Sequence, residues 1–263
     1  MKEVLVTGAS GFIGRHLVQE LSSQGYEVRV LSRNFTSTNK NIRVYKGDVT
    51  DFQSIRKACH GVENIFHLAA LTNINRLTPN PDQLFRKINV EGTLNVLNAC
   101  ERAKKFIHFS SVDALGIIQN KLLDEESEAK PSHPYEVTKL QSELVVKKFS
   151  KELGLNYTIL RPTSVYGEGE LSASLKTNVA VLKMCKMIQK HRFPIIGSGK
   201  NLFPFTHVKN IVDGAILALN SSVSANKTYN LGDERSYPLK EVVKTIATIL
   251  NVKFPAFHVP LIA

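Results

Sequence analysis

The sequence predicts an α/β protein built on a doubly wound parallel sheet with a small C-terminal lobe, and three observations carry that expectation. Short apolar strands alternate with helical periodicity through the first 160 residues, and no hairpin signal lies between them. That order builds parallel sheets covered on both faces. The first strand runs directly into a glycine-spaced turn and a helix, Gly8-Ala9-Ser10-Gly11-Phe12-Ile13-Gly14. Finally, 263 residues with 43% apolar content are enough for a large buried core.

Residues 4–7 read as the first buried strand, residues 12–21 as a helix and residues 27–31 as the second strand, the spacing of a βαβ unit. In the turn between them, Gly8 lets the backbone leave the strand sharply, Gly11 removes a Cβ that would bump a pyrophosphate, and Gly14 allows close packing of helix on sheet. The free N–H groups at the helix start then face an anion. Residues 34–41 are polar and turn-rich. A third strand, 42–45, ends at Gly47-Asp48-Val49, and Thr50 is the expected cap of a helix over 51–59. Residues 64–69 form the fourth strand, 84–103 a long helix and 105–111 the fifth strand. The acidic stretch 115–134 reads as a loop over the site. A helix over 135–153 and a strand over 156–160 follow, closing on Arg161-Pro162.

From Gly167 the pattern changes. A helix over 174–190 and the segment Pro194-Ile195-Ile196-Gly197-Ser198-Gly199 begin a second, substrate-facing lobe, to which the amphipathic helix 239–250 also belongs. Residues 205–219 and 228–231 return to the core. The expected division is therefore a dinucleotide-binding core, 1–166 plus 204–231, and a lobe, 167–203 plus 232–263. Ligands of such sheets lie at the carboxyl ends of the strands, which here carry Gly8, Ser32 and Arg33, Asp48, Leu68-Ala69-Ala70, and Ser110-Ser111.

Composition narrows the partners. The formal charge is +11, but the lysines are spread over helices, and with no basic tail or known reading module, nucleic acid is not an expected partner. No apolar run is long enough to cross a bilayer, and the first strand begins close to Met1, so a cytoplasmic protein without a leader is expected. Cys59, Cys100 and Cys185 lie far apart without a C-x-x-C spacing, which reads as buried thiols, with neither a metal site nor a disulfide framework.

Tyr135 and Lys139, four residues apart on one predicted helix, share a face. A neighbouring ammonium favours the phenolate, so the pair reads as a general acid/base usable near neutral pH, with Ser111 binding the same substrate oxygen. His67 is expected to pack at a strand end, Arg161 to cap strand and loop, and Phe203 and Phe205 to belong to the lobe core. Asp113 reads as a lone carboxylate with a packing or capping role.

Taken together these pieces resemble the extended short-chain dehydrogenases/reductases, the NAD-dependent epimerase/dehydratase superfamily with its Rossmann fold. The matching motifs are Thr7-Gly8-x-x-Gly11-x-x-Gly14, Asp48-Val49, His67-Leu68-Ala69-Ala70, Asn89-Val90-Glu91-Gly92-Thr93, Ser110-Ser111, Tyr135-x-x-x-Lys139, Leu160-Arg161-Pro162-x-x-Val165-Tyr166-Gly167 and His207-Val208-x-Asn210. The resemblance implies Ser111 as substrate polariser, Tyr135 as acid/base, and Lys139 as ribose ligand and Tyr135 activator. It implies a cofactor site of Gly8, Ser10, Gly11, Phe12, Ile13, Gly14, Ser32, Arg33, Asp48, Val49, Leu68, Ala69, Ala70, Asn89, Tyr135, Lys139 and Pro162, with Asp48 and Val49 at the adenine end.

Departures from the family patterns refine the expectation. Dehydratases carry an Asp-Glu pair after the catalytic hydroxyl residue, where this chain has Val112 and Asp113. Sugar-nucleotide epimerases carry an asparagine and an arginine where it has Ser164 and Phe203. The local wording is nearer to 3β-hydroxysteroid dehydrogenases and dihydroflavonol reductases. The expected activity is hydride transfer between nicotinamide and a secondary alcohol or ketone, the alternative is a sugar-nucleotide epimerase that recycles its cofactor, and a non-catalytic cofactor-sensing scaffold is the third reading. Ser32 and Arg33 replace the acidic residue of NAD sites at the second strand end, so NADP is expected in preference to NAD. The partner is a small-molecule substrate, and a homodimer is left open. The tail, ending at Ala263, is expected to be truncated relative to the family.

Overall fold

The computed structural model describes residues 3–73, 78–100, 102–116, 122–169, 180–254 and 258–259. Seven strands form one parallel sheet: β1 (Glu3–Thr7), β2 (Glu27–Ser32), β3 (Ile42–Lys46), β4 (Asn64–His67), β5 (Lys105–Phe109), β6 (Asn156–Pro162) and β7 (Lys227–Leu231). Their order is β7-β6-β5-β4-β1-β2-β3, every neighbouring pair being parallel. The chain runs outward through β2 and β3, then returns to β4 on the other side of β1. The order reverses at the β1–β4 boundary, and that crevice is where such sheets take ligands.

Strand alternation assigns the two faces. Val4 and Val6 point to one side with Val28, Val30, Phe66 and Ile107, covered by α1 (Phe12–Ser23) through Leu17, Val18 and Leu21. Leu5 points to the other with Ile65, Phe106 and Ile159, covered by α2 (Phe52–Cys59) through Ile55 and Ala58. The long helix expected over 84–103 runs from Pro81 to Ala99 in three parts: α3 (Pro81–Arg86), a π-helical turn (Lys87–Glu91) and α4 (Gly92–Ala99). It stops early because the backbone at Cys100 leaves the helical region. The helix α5 (Pro134–Leu153) begins at a capping box in which His133 accepts from Tyr135 N and the Glu136 carboxylate accepts from His133 N. Thr50 is not the cap of α2. Asp51 accepts from Gln53 N at 3.1 Å, while Thr50 bonds back to Asp48.

The remaining helices are α6 (Ala180–Gln189), α7 (Val208–Asn220) and α8 (Leu239–Ile249). The helix α7 joins α1 on the first face through Ile211, Val212 and Ala215. The Nζ of Lys105 caps its C-terminal end, donating to Leu219 O and Ser221 O at 3.1 and 2.6 Å. Met184 and Ile188 of α6 meet Leu239, Val243 and Ala247 of α8 around Phe205 in a separate apolar cluster. Short pairings that the sequence does not announce frame this region: Ser164–Tyr166 with Phe205–His207, Leu202–Phe203 with Tyr237–Pro238, and Ile195–Ile196 with His258–Val259. The start of the helix expected from Ser174, part of the acidic loop and the last four residues lie outside the described residues.

The acidic loop is tied down at two places. Lys130 N donates to Leu115 O at 2.8 Å, and Glu125 Oε1 accepts the Asn230 N–H of β7 at 2.7 Å. Cys59 and Cys100 are buried and touch each other, whereas Cys185 is only half-buried.

Candidate active site

The glycine turn sits at the carboxyl end of β1. Gly8 has φ +73°, and a Cβ there would lie 2.6 Å from the backbone of Leu68 and Ala69, so the residue needs both the left-handed conformation and the missing side chain. A Cβ on Gly14 would collide with the Gly8 carbonyl oxygen and lie 2.8 Å from Ala9 Cα. Its close approach is therefore onto the turn, which seats the helix on it. No side chain caps the start of α1 and its first turn holds no acidic residue, while Gly11 is exposed. An uncapped N-terminus behind an exposed glycine fits a dinucleotide pyrophosphate, so the residues present suit the cofactor that the turn implies.

Thr7 fixes the neighbouring strand end. Its Oγ1 accepts from Ala69 N at 3.2 Å and meets His67 Nδ1 at 2.8 Å, while His67 Nε2 meets Thr93 Oγ1 at 2.9 Å. With both ring nitrogens engaged and burial pushing its pKa down to about 3, His67 is a neutral structural residue, as the sequence reading expects. Asn89, in the π-helical turn, accepts from Leu71 N at 2.7 Å and donates to Leu71 O and Thr138 Oγ1. Its amide locks the loop 68–71 to α5.

Ser111 caps the 3-10 turn Val112–Leu115 just past β5, accepting from Asp113 N at 3.2 Å. That turn packs against α5, whose Tyr135 lies beside the Ser111 hydroxyl. The Tyr135 pKa is pushed up to about 12, by burial first and then by the Asp113 carboxylate, with Ser111 opposing. The expected lowering by Lys139 is not what this geometry does. Lys139 is wholly buried and donates from Nζ to Phe109 O at 2.6 Å, drawing its charge toward the sheet and toward His67 and His108. Its own pKa is brought down to about 8 by burial, against the pull of Glu143.

Glu143 is the residue that sequence reasoning missed, and its partner is Arg161. Both oxygens of Glu143 accept from Arg161, at 2.9 Å from Nε and 2.7 Å from Nη2, in a fully buried fork. Arg161 is thus a buried ion-pair partner and not a cap. The repeat of the spacing, Tyr135, Lys139, Glu143, is the signal that could have found it.

At the adenosine end, Ser32 is buried at the tip of β2, and Arg33, 74% exposed, reaches Asp48 with Nη1 to Oδ2 at 3.3 Å. Asp48 Oδ1 also accepts from Thr50 N and Oγ1. Val49 is buried against Gly92, and Pro162 is buried at the end of β6. These residues all lie at the carboxyl ends of the parallel strands. Phe203 stacks on Phe205 at 5.9 Å between ring centres and packs on the lobe cluster. Among the described residues no group of three His, Cys, Asp or Glu is placed to hold a metal, and no helix is long and apolar enough to cross a membrane.

Residues 4–232 match the family model described as NAD dependent epimerase/dehydratase family. The chain belongs to that family. Among curated relatives, the sterol-4-alpha-carboxylate 3-dehydrogenase (decarboxylating) of Homo sapiens is 32% identical over 98% of the chain and 69% of its own length. The UDP-glucose 4-epimerase of Lactobacillus helveticus is 28% identical over 96% and 83%. Among solved structures, a UDP-glucose 4-epimerase of Thermotoga maritima with UDP-glucose superposes with a TM-score of 0.84 at 26% identity, covering 98% of this chain and 85% of that one. MoeE5 in complex with UDP-glucose and NAD gives 0.83 at 27%, with the same coverage. The chain is an NAD-dependent enzyme of the extended short-chain dehydrogenase/reductase type.

Proposed function

We propose that the chain performs net hydride transfer between a nicotinamide cofactor and a secondary alcohol or ketone. The observation that carries the reading is the Ser111–Tyr135 contact above buried, cationic Lys139, at the carboxyl end of β5. The cofactor, when bound against Gly8, Ser10, Gly11, Phe12, Ile13 and Gly14, supplies or accepts the hydride. Ser111 holds the substrate oxygen. Tyr135 gives that oxygen a proton on reduction and takes one on oxidation. With its pKa near 12 the phenol is protonated at neutral pH, which readies it for ketone reduction. Lys139 keeps a positive charge below the pair and orients the ribose. Val112 stands where dehydratases carry the acid that expels a hydroxide. Nicotinamide absorbance across steroid, flavonoid and aliphatic ketones should reveal turnover that falls roughly 100-fold or more in Tyr135→Phe. Undiminished turnover in that variant overturns the mechanism.

The dehydrogenase named among the relatives supports this reading, and the neighbours solved with UDP-glucose favour a second, epimerisation with cofactor recycling. Ser164 and Phe203, where such epimerases carry an asparagine and an arginine, weigh against it. Product formation from nucleotide sugars without net change in free cofactor would establish the second reading instead.

The finer cofactor choice is NADP. Arg33 is exposed and tethered by one long ion pair to Asp48, so its guanidinium is available to a 2′-phosphate, and no acidic residue occupies position 32 to repel it. Arg33→Ala should weaken NADP binding by about 1.5–3 kcal/mol and leave NAD nearly unchanged, read by titrating both cofactors. Equal losses, or a wild-type preference for NAD, overturn it. The same reading has the enzyme cytoplasmic and acting on a small molecule, alone or as a homodimer, with residues 1–166 and 204–231 as cofactor core and 167–203 and 232–263 as substrate lobe.

A further inference from the structure

Two histidines far apart in the chain converge on one exposed residue, Glu168. His16 lies one turn past Phe12 on α1, half-buried, with the Phe12 ring edge-on at 5.5 Å between centres. Its Nε2 is 2.8 Å from the main-chain oxygen of Glu168, and because a carbonyl only accepts, that nitrogen carries a proton and donates it. The second is His207, the N-cap of α7. Its Nδ1 accepts from Lys209 N at 3.3 Å, which leaves the ring proton on Nε2, and Nε2 faces Glu168 Oε2 at 3.4 Å. Lys209 Nζ lies 3.8 Å from the other oxygen of the same carboxylate. Glu168 is thus held twice, by its backbone to the helix that begins at the glycine turn and by its side chain to the start of α7. Beyond His207, the ring of Tyr166 stands edge-on at 5.3 Å and packs with Phe205 on the apolar cluster shared by α6 and α8. The exposed ion pair with Lys209 contributes little by itself, so the weight of the connection rests on the His16 bond and the packed rings.

We infer that His16 and Glu168 are positioning residues that couple the cofactor turn to the substrate side: cofactor docked at the start of α1 steadies His16, which holds residues 166–169, and the Glu168 carboxylate passes that order to residues 207–210. Neither residue touches a reacting atom. A pyrophosphate on the free N–H groups of the first turn restrains the helix end from which His16 projects. A segment already ordered by one ligand costs less to order for the next, so binding on the two sides is cooperative without a large change of shape. Linkage makes the effect reciprocal, and a ligand on the substrate side tightens the cofactor by the same factor. This inference rests on cofactor docking at the glycine turn and holds for either reaction considered above.

The test is amide hydrogen exchange of the full chain with and without saturating NADP, and with NAD as a second arm. In the wild type, cofactor should slow exchange at residues 8–14 and, by about threefold or more, at 166–169 and 207–210. His16→Leu should keep the slowing at 8–14 and lose it at both distant segments, while His16→Gln, which retains a donor, should keep all three. Glu168→Ala preserves the backbone bond from His16 and removes the carboxylate. Its side chain is exposed, so the variant should fold, with slowing kept at 166–169 and lost at 207–210. Distant segments that ignore cofactor in the wild type overturn the inference. So do distant segments still slowed in His16→Leu, a His16→Gln variant that behaves like His16→Leu, or two segments that respond alike in Glu168→Ala. Absence of slowing at 8–14 in the wild type overturns the cofactor placement, and the coupling with it. The hydride-transfer reading stands or falls separately, on turnover by Tyr135→Phe.

Discussion

At Lys139 an ammonium sits wholly out of water, with one short hydrogen bond to Phe109 O and Glu143 one turn away. Burial brings its pKa to about 8 from the ordinary 10.5. Between those values the unfolded chain holds a proton that the folded chain has released, so folding stability rises with pH across that window and is flat with respect to this group below it. Lys139→Met removes the dependence. The stability advantage of the Met variant should be largest below pH 8 and shrink by roughly 3 kcal/mol toward pH 10.5, measured by urea unfolding across pH. A constant difference would show that Lys139 is not desolvated as described. The lysine and its tyrosine were legible from their spacing, but their electrostatics were not. A sequence gives the distance along a helix, whereas the Phe109 carbonyl that draws the ammonium away from Tyr135 comes from β5, thirty residues upstream.

The helix α5 presents Tyr135, Lys139 and Glu143 on one face, and the last of these fastens it to β6 through Arg161. Removing one partner of a buried ion pair leaves the other charge uncompensated, which is far more damaging than replacing both. Glu143→Gln should destabilise the chain by about 3–5 kcal/mol, and Glu143→Leu combined with Arg161→Met should recover most of that loss in equilibrium unfolding. If the double variant is as unstable as the single, the pair's role is not charge compensation. This contact was hidden because it joins two elements whose adjacency depends on sheet order. By contrast the capping chemistry at Asp51 and His133 is local, and the sequence misjudged it at Thr50 by a single residue, because Thr50 found a nearer acceptor in Asp48.

At the scale of the whole molecule, alternation of strands and helices was sufficient to predict the parallel sheet and which residues gather at the carboxyl ends of its strands. The three short strand pairings around α6 and α8 escaped notice because strands of two or three residues carry no periodicity. The contact between Glu125 and β7 bears on a different matter. An edge strand presents a row of unmatched N–H and C=O groups that can recruit a strand from another copy. At the β7 edge the outward N–H of Asn230 is already taken by Glu125. At the β3 edge exposed Arg43 and Lys46 place like charges along the rim. One margin of the sheet thus carries an occupied donor and the other a pair of like charges, two devices that work against pairing of edge strands between copies.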